Sequence, residues 1–229
     1  MKIKFLGTGG AFEPTYGNSA AILEINQQNI LIDAGFTIYP KLVQLDFWKI
    51  DYILLTHLHN DHCGSLANIL LHSCFYANGR KLVILYQTET FRDQIKSFLN
   101  IQLKDVEKYA EFKPTTEIPG LFYLDTFNRH SEGFQTFSFI FEEAGERLVY
   151  SGDLRDCNFL FNHLSTLPSL PTQVYHDISF DSTNKGHAFY TDLIPYQAQF
   201  NILGYHCDPT QKPADNTIPL VYDQPDLRY

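Results

Sequence analysis

The chain has 229 residues, of which 44% are apolar and 15% aromatic, so it can bury one sizeable core and differs from disordered chains. Its 17 Lys and Arg residues against 26 Asp and Glu give a formal net charge of −9, which argues against a broad surface for nucleic acid or anionic membranes. Neither a membrane helix of roughly 20 apolar residues nor a signal-peptide pattern is present, so we expect a cytoplasmic protein.

The first half of the chain predicts strands that alternate with helices. Polar residues 26–29 between two apolar runs predict a hairpin turn. The predicted strands of this half cover residues 3–6, 20–25, 30–32, 52–55 and 82–86, and the predicted helices cover 40–45, 66–71 and 88–99.

After a predicted loop that contains Pro114 and Pro119, the pattern begins again. The predicted strands cover residues 121–127, 134–141, 147–150, 174–176 and 201–203, and the predicted helices cover 158–164 and 187–199. Two successive groups of strands with interspersed helices suggest two facing sheets inside outer helices. We therefore expect one domain over residues 1–229, with an irregular, proline-containing tail from about 208 to 229.

A cluster of histidines and aspartates follows the predicted strand at 52–55: His57, His59, Asp61 and His62. On an extended segment His57 and His59 project to one side, while Asp61 and His62 enter the following turn and can face a neighbouring point. Imidazole nitrogens and carboxylate oxygens suit Zn²⁺, and also Mn²⁺ or Fe. The cluster predicts a site for two adjacent metal ions; the alternative is a solvated polar turn with incidental histidines.

This H-x-H-x-D-H pattern resembles the signature of the metallo-β-lactamase fold superfamily, and further motifs occur in that family's order. They are Asp33 in LIDAG, His130 in RHS, Asp153 in SGDL and His206 in GYHC. The resemblance spans nearly the whole chain. It implies an α/β protein, a four-layer αβ/βα sandwich of two facing mixed β-sheets with outer helices.

The resemblance also implies two divalent metal ions, with Zn²⁺ favoured and Mn²⁺ or Fe as alternatives. The ligands implied for one ion are His57, His59 and His130, those implied for the other are Asp61, His62 and His206, and Asp153 would bridge the two. Asp33 would orient ligands or loop backbone, although a turn residue at a strand end explains it equally well. Two cations about 3.5–4 Å apart can hold a bridging hydroxide, which would be the nucleophile of a hydrolase.

Within the superfamily, the chain is most similar to the ribonuclease Z and cyclic-nucleotide phosphodiesterase branch. The similar segments are FLGTGG at residues 5–10 and YHDISF at 175–180, followed by a Gly-His-Ala at 186–188. In that branch a late histidine contacts the scissile phosphate beside an acidic partner, which implies that His187 and Asp177 are catalytic together with Asp61. Asp177 stands where Glu is usual, so whether its shorter side chain reaches His187 is left open.

We predict a phosphodiesterase, because a departing alkoxide needs a proton that an imidazole such as His187 can supply. Only 22 residues separate His130 from Asp153, too few for the basic arm of tRNA-processing ribonuclease Z, so a small cyclic nucleotide or short phosphodiester is favoured over a large RNA. The alternatives are ribonuclease Z-type RNA processing, a thioester or lactone hydrolase with the same metal site, and a metal-free scaffold protein. The resemblance further implies a homodimer, and we expect no membrane partner.

Overall fold

The computed structural model describes residues 1–46 and 49–229, whose strands form one six-stranded and one five-stranded sheet. The first sheet has the order β1 (Lys2–Gly7), β2 (Ala20–Ile25), β3 (Gln28–Ile32), β4 (Tyr52–Leu54), β5 (Leu82–Tyr86) and β6 (Ala110–Pro114). The second has the order β11 (Asn201–Tyr205), β10 (Thr172–Asp177), β9 (Glu146–Tyr150), β8 (Phe137–Glu143) and β7 (Leu121–Asp125). Both sheets mix parallel and antiparallel pairs.

The helices of the described residues are short to medium in length. They are α1 (Ile38–Leu45), α2 (Asn60–Cys63), α3 (Leu66–Tyr76), α4 (Glu89–Leu103), α5 (Cys157–Thr166) and α6 (Tyr190–Leu193). The longest, α4, begins after Thr88, whose hydroxyl accepts a hydrogen bond from the Phe91 backbone N–H and so caps the helix. Among the described residues, no helix combines the length and apolar character needed to cross a membrane.

Two apolar clusters fix the order of the layers. The larger lies between the sheets, where Phe5 of β1 contacts Tyr150 and Tyr205 of the second sheet, and it continues beneath α3 and α4. The smaller lies beneath α5 on the outer face of the second sheet. The predicted four-layer α/β sandwich is therefore confirmed. Both faces of strand β8 are buried, because Phe139 belongs to one cluster and Ile140 to the other.

The sequence prediction does not include β6, and it starts α6 too early. The segment predicted as a loop around Pro114 contains β6, which pairs in parallel with β5 at the sheet edge, where a proline is tolerated because one side of the strand needs no partner. The helix predicted from residue 187 begins only at Tyr190, since Phe189 is extended and bridges Ser179. After α6 the chain tightens into a 3₁₀ turn at Ile194–Ala198.

The topology gathers the predicted functional residues at one end of the molecule. Strands β3 and β4 are parallel, and so are β9, β10 and β11. Asp33, His57, Asp153 and His206 each follow the carboxyl end of one of these strands, and Asp177 is the last residue of β10. Carboxyl ends of neighbouring parallel strands meet along one sheet edge, which is the usual place for a binding site in an α/β fold.

Residues 208–229 run along the open side of the sandwich. They contain three short 3₁₀ turns, and they form one bridge to each sheet, Gly204 with Leu220 and Phe5 with Arg228. The Gly204 N–H donates to the Pro219 carbonyl at 2.8 Å, and the Tyr229 N–H donates to the Phe5 carbonyl at 3.1 Å. This segment therefore contacts the edge strands β11 and β1, one from each sheet.

Candidate metal centre

Seven side chains from four separate segments of the chain converge at this end of the sheets. The structure brings together all seven predicted ligands, in two sets that share Asp153. One set is His57, His59, His130 and Asp153; the other is Asp61, His62, His206 and Asp153.

In the first set, three imidazole nitrogens surround one point. His59 Nδ1 lies 3.0 Å from His57 Nε2 and 3.1 Å from His130 Nε2. Asp153 Oδ2 lies 3.7 Å from the Nε2 atom of both His57 and His130. Ligand atoms around a tetrahedral zinc, with bonds of about 2.0–2.1 Å, lie about 3.3 Å apart. The distances of this set scatter around that spacing.

The second set has the same spacing. His62 Nε2 lies 3.2 Å from both His206 Nε2 and Asp61 Oδ2, and 3.3 Å from Asp153 Oδ1. His206 Nε2 lies 3.3 Å from Asp61 Oδ2 and 3.5 Å from Asp153 Oδ1. Two imidazoles and two carboxylates therefore offer one donor atom each to a second cation.

Asp153 joins the two sets, because its Oδ1 faces one and its Oδ2 faces the other. The residue is 2% exposed, and Oδ1 has no hydrogen-bond partner among the described residues. Burial opposes its ionisation, but the imidazoles of His206, His62 and His187 outweigh that effect and hold the pKa of Asp153 well below its usual range. A buried, ionised oxygen without a donor is costly, and a cation between the ligands would satisfy it. The residues thus fit a pair of divalent metal ions.

In two of these histidines, the ring nitrogen that faces away from the metal site also has a polar contact. His62 Nδ1 donates to Asp33 Oδ2 at 2.8 Å, and the Thr56 N–H donates to Asp33 Oδ1 at 2.8 Å. His57 Nδ1 lies 3.0 Å from the Thr56 hydroxyl. A hydrogen bond to the other nitrogen fixes the tautomer and orientation of a metal-binding imidazole. Asp33 makes the contact expected of a residue that orients a ligand.

Two further contacts at the centre were not predicted from the sequence. His130 Nδ1 donates to the Gly186 carbonyl at 2.7 Å, so the loop before His187 fixes the ring of His130. The Phe134 ring stacks on His59, with centroids 4.1 Å apart and an interplanar angle of 25°. Glycine and phenylalanine side chains do not bind metals, and therefore the residue types of Gly186 and Phe134 do not indicate these contacts in the sequence.

Close backbone contacts hold the ligand segments. A Cβ atom on Gly35 would lie 1.9 Å from the Asp61 carbonyl oxygen, so only glycine fits there. The neighbouring Ala34 N–H donates to the His62 carbonyl at 2.7 Å. His206 has a left-handed backbone, with a φ of 67°, and its N–H donates to the Thr8 carbonyl at 2.8 Å. Such strained conformations persist where surrounding contacts enforce them, frequently at functional sites.

The predicted catalytic pair is in contact. His187 Nδ1 donates to Asp177 Oδ2 at 2.9 Å, so the shorter aspartate does reach the histidine. The same nitrogen lies 3.9 Å from Asp153 Oδ2. Burial disfavours the charged imidazole, but the carboxylates of Asp153 and Asp177 outweigh burial and raise the pKa of His187 to about 9. A histidine with this environment can keep a proton at neutral pH.

A cavity of about 370 Å³ opens beside the metal centre. His187 and His206 line its inner side, and the turn at residues 10–13 lines another. Three carboxylate side chains line the cavity, and no Lys or Arg of the described residues does; the carboxylates belong to Glu13, Asp181 and Asp208. A cavity of this size falls in the range of about 300–1,000 Å³ that small-molecule sites usually have.

Comparison with known proteins gives both a sequence family and a fold. A model of the family described as anti-Pycsar protein Apyc1 matches residues 1–219. A relative with that description from Paenibacillus harenae is 28% identical in an alignment of 206 positions that covers 85% of this chain and 83% of the relative. A second, from Bacillus phage BSP38, is 28% identical in an alignment of 221 positions that covers 85% of this chain and 83% of the relative.

Two solved structures show the architecture. The metallo-β-lactamase fold protein YhfI from Bacillus subtilis aligns with a TM-score of 0.66 and 17% identity over 90% of this chain and 85% of its own. Human tRNase Z, short form, aligns with a TM-score of 0.65 and 17% identity over 96% of both chains. The chain therefore has the metallo-β-lactamase fold, as its motifs predict.

Proposed function

This chain belongs to the anti-Pycsar protein Apyc1 family, and on that basis we propose that it is a phosphodiesterase that hydrolyses a small cyclic nucleotide. It is a metal-dependent hydrolase of the metallo-β-lactamase fold. The family description names an activity directed against Pycsar, and removal of a cyclic nucleotide is the form of that activity proposed for this chain.

In this proposal the two ligand sets, which share Asp153, would hold two divalent metal ions. When bound, two such cations stabilise negative charge on phosphoryl oxygens and lower the pKa of water. Asp33 and Thr56 orient His62 and His57, so these contacts fix the positions of two of the imidazoles that would bind metal. Zn²⁺ is the proposed metal, since nitrogen and carboxylate ligands at tetrahedral spacing suit it, with Mn²⁺ or Fe as alternatives.

The position of His187 is the observation that carries the proposal. Hydrolysis of a cyclic phosphodiester adds one water, breaks one P–O ester bond and leaves an alkoxide that needs a proton. Because Nδ1 of His187 donates to Asp177, its Nε2 is the nitrogen that can give a proton to that alkoxide. Asp177 keeps the ring oriented and favours its protonated form. Asp61, proposed as catalytic, acts here through the metal it would bind.

The cavity supports a small substrate with little negative charge beyond the reacting phosphate. Glu13, Asp181 and Asp208 repel a second phosphate, and no lining Lys or Arg of the described residues offsets them. A long RNA would bring a series of phosphates to this surface. For this reason the cyclic nucleotide is favoured over ribonuclease Z-type processing, although human tRNase Z shares the fold.

The test is a substrate comparison with purified, metal-loaded protein. The four common 3′,5′-cyclic nucleoside monophosphates are assayed beside a precursor tRNA, a thioester and a lactone, with product identification by mass spectrometry. We expect metal-dependent conversion of at least one cyclic nucleotide to the nucleoside monophosphate. Turnover confined to the tRNA, the thioester or the lactone would instead establish one of the alternative functions.

Matched variants control this assay. Asp153→Ala removes the carboxylate that both ligand sets share, so it is expected to lose bound metal and turnover together. Asp93→Ala removes an exposed aspartate of α4 that pairs with Arg92, and it is expected to retain both. Metal analysis of the two variants separates loss of the centre from general damage.

The proposal also includes a cellular location and an oligomeric state. We place the enzyme in the cytoplasm, where a soluble nucleotide substrate would be met, and propose that it forms a homodimer. Sedimentation equilibrium of the purified protein measures the second point, since a monomer mass at micromolar concentration would exclude a stable dimer.

A further inference from the structure

The turn at residues 10–13 places a large apolar ring at the mouth of the cavity. Phe12 lines the cavity together with His187 and His206, and it is 91% exposed. A single exposed apolar residue is ordinary on a protein surface. Two properties distinguish Phe12. It is the most exposed of the large apolar side chains among the described residues, and it borders the proposed catalytic centre.

Backbone contacts hold this turn against the centre. The Tyr16 N–H donates to the Glu13 carbonyl at 3.1 Å, and the Thr8 N–H donates to the Tyr16 carbonyl at 3.1 Å. A Cβ atom on Gly10 would lie 3.4 Å from the ring of His206, so the turn packs directly on a proposed metal ligand. Phe12 follows Gly10 by two residues, a length of chain that spans at most about 7 Å. Phe12 therefore lies within a short distance of the place where the phosphate would be bound.

We propose that Phe12 is a specificity-determining residue whose ring stacks on the nucleobase of the substrate. This inference rests on the proposed function. With the phosphate at the metal centre, the rest of a mononucleotide must extend into the cavity, and an exposed aromatic face at its mouth offers a surface for a flat base.

The test compares two substrates that differ only in the base. One is a 3′,5′-cyclic nucleotide that the enzyme hydrolyses, and the other is the 3′,5′-cyclic phosphate of 1-O-methylribose, which has no base. Phe12→Leu keeps an apolar side chain but removes the aromatic face. It is expected to raise KM for the cyclic nucleotide about 5–150-fold, the range that follows from loss of one base–aromatic stack. Its kcat, its metal content and its KM for the base-free substrate are expected to stay within twofold of wild type.

Two control variants make the result specific. Phe12→Tyr retains a stacking ring and is expected to keep KM for the nucleotide near the wild-type value. Phe75→Leu alters an exposed phenylalanine of α3 that does not line the cavity, and it is expected to change neither substrate.

Three results would overturn the inference. An unchanged KM for the cyclic nucleotide in Phe12→Leu would show that the ring does not contact the base. An equal rise of KM for both substrates would show a general effect on the site. A changed molecular mass in solution would assign Phe12 to contact with a second copy of the chain. If the wild-type protein hydrolyses no cyclic nucleotide, the proposed function fails first, and the role of Phe12 fails with it.

Discussion

The Asp177 carboxylate lies between two histidines. Its Oδ2 accepts from His187 Nδ1 at 2.9 Å, and its Oδ1 lies 3.0 Å from Nδ1 of the buried His176. The aspartate is itself the last residue of β10, and His176 Nδ1 donates to its main-chain carbonyl at 2.8 Å, so the strand, this hydrogen bond and the His187 imidazole fix its position. Because this fixed carboxylate orients His187, the proton donor needs little reorganisation when substrate binds.

The charge of Asp177 leads to a prediction about pH dependence. Catalysis needs protonated His187, so turnover should decline as pH rises through the pKa of His187. Asp177 is one of the carboxylates that raise this pKa, and Asp177→Asn should therefore lower it and move the alkaline decline of kcat to lower pH. We expect kcat at neutral pH to decrease, with metal content retained.

Rate measurements from pH 6 to 10 check this prediction, with His187→Ala as the reference for complete loss of the donor. That variant should keep its metal and lose about 10²–10⁴-fold in kcat, the usual contribution of a general acid. Asp93→Asn serves as the surface control. If the alkaline decline of Asp177→Asn coincides with that of wild type, Asp177 does not set the protonation of His187.

At the level of secondary structure, the ends of the parallel strands determine where the ligands lie. The H-x-H-x-D-H motif could be interpreted from the sequence because its four ligands are local, and the alternation after β4 already indicates which side each imidazole takes. His130, Asp153 and His206 lack a local signal, and their convergence depends on which strands pair. Only the resemblance to a known family supplied that information.

Some elements are hard to predict for a physical reason. The edge strand β6 contains Glu111, Lys113 and Pro114, residues that protect an exposed strand edge and that also resemble a loop in the sequence. The start of α6 depends on a bridge between Phe189 and Ser179, a contact between separate segments. Neither feature is visible in hydrophobic periodicity.

Gly35 gives a prediction for the loop between β3 and α1. Its replacement by alanine would place a Cβ 1.9 Å from the Asp61 carbonyl oxygen, so the segment that carries Asp61 and His62 must shift. We expect Gly35→Ala to lose at least half of its bound metal and about 1–3 kcal/mol of unfolding free energy, the usual cost of overpacking. Metal analysis and urea denaturation measure the two effects.

A second glycine variant separates the two effects. Gly79 has a φ of +79°, but a Cβ added there would meet no atom of the described residues within 4 Å, so Gly79→Ala should cost about 1–2 kcal/mol through backbone strain alone. Its metal content should equal that of wild type. Full metal occupancy in Gly35→Ala would contradict the role given to this contact.

At the scale of the whole molecule, the metal centre connects the two sheets. Its ligands follow strands of both, and Asp153, which follows β9, contacts His57, which follows β4. A metal ion that binds only the folded protein stabilises it by mass action. The centre should therefore contribute to the stability of the sandwich as well as to catalysis.

Chelation provides the corresponding prediction. At a free metal concentration about 1,000 times Kd, removal of the metal should cost about 4 kcal/mol. For a chain of this size, that loss corresponds to a fall in Tm of about 8–16 °C. Differential scanning calorimetry before and after chelation, with restoration by added Zn²⁺, measures it. Asp153→Ala should show no such shift, and a chelated wild-type protein that melts at the original temperature would refute the proposed linkage.

The tail segment that bridges Phe5 and Gly204 has a consequence for self-association. Strands β1 and β11 border their sheets, and an uncovered border offers main-chain donors and acceptors to the same border of another molecule. By occupying part of both borders, the proline-containing segment hinders the edge-to-edge pairing of sheets that leads to fibrils, and the prolines in it cannot themselves extend a ladder of main-chain hydrogen bonds. The segment thus helps to keep the enzyme dispersed at high concentration.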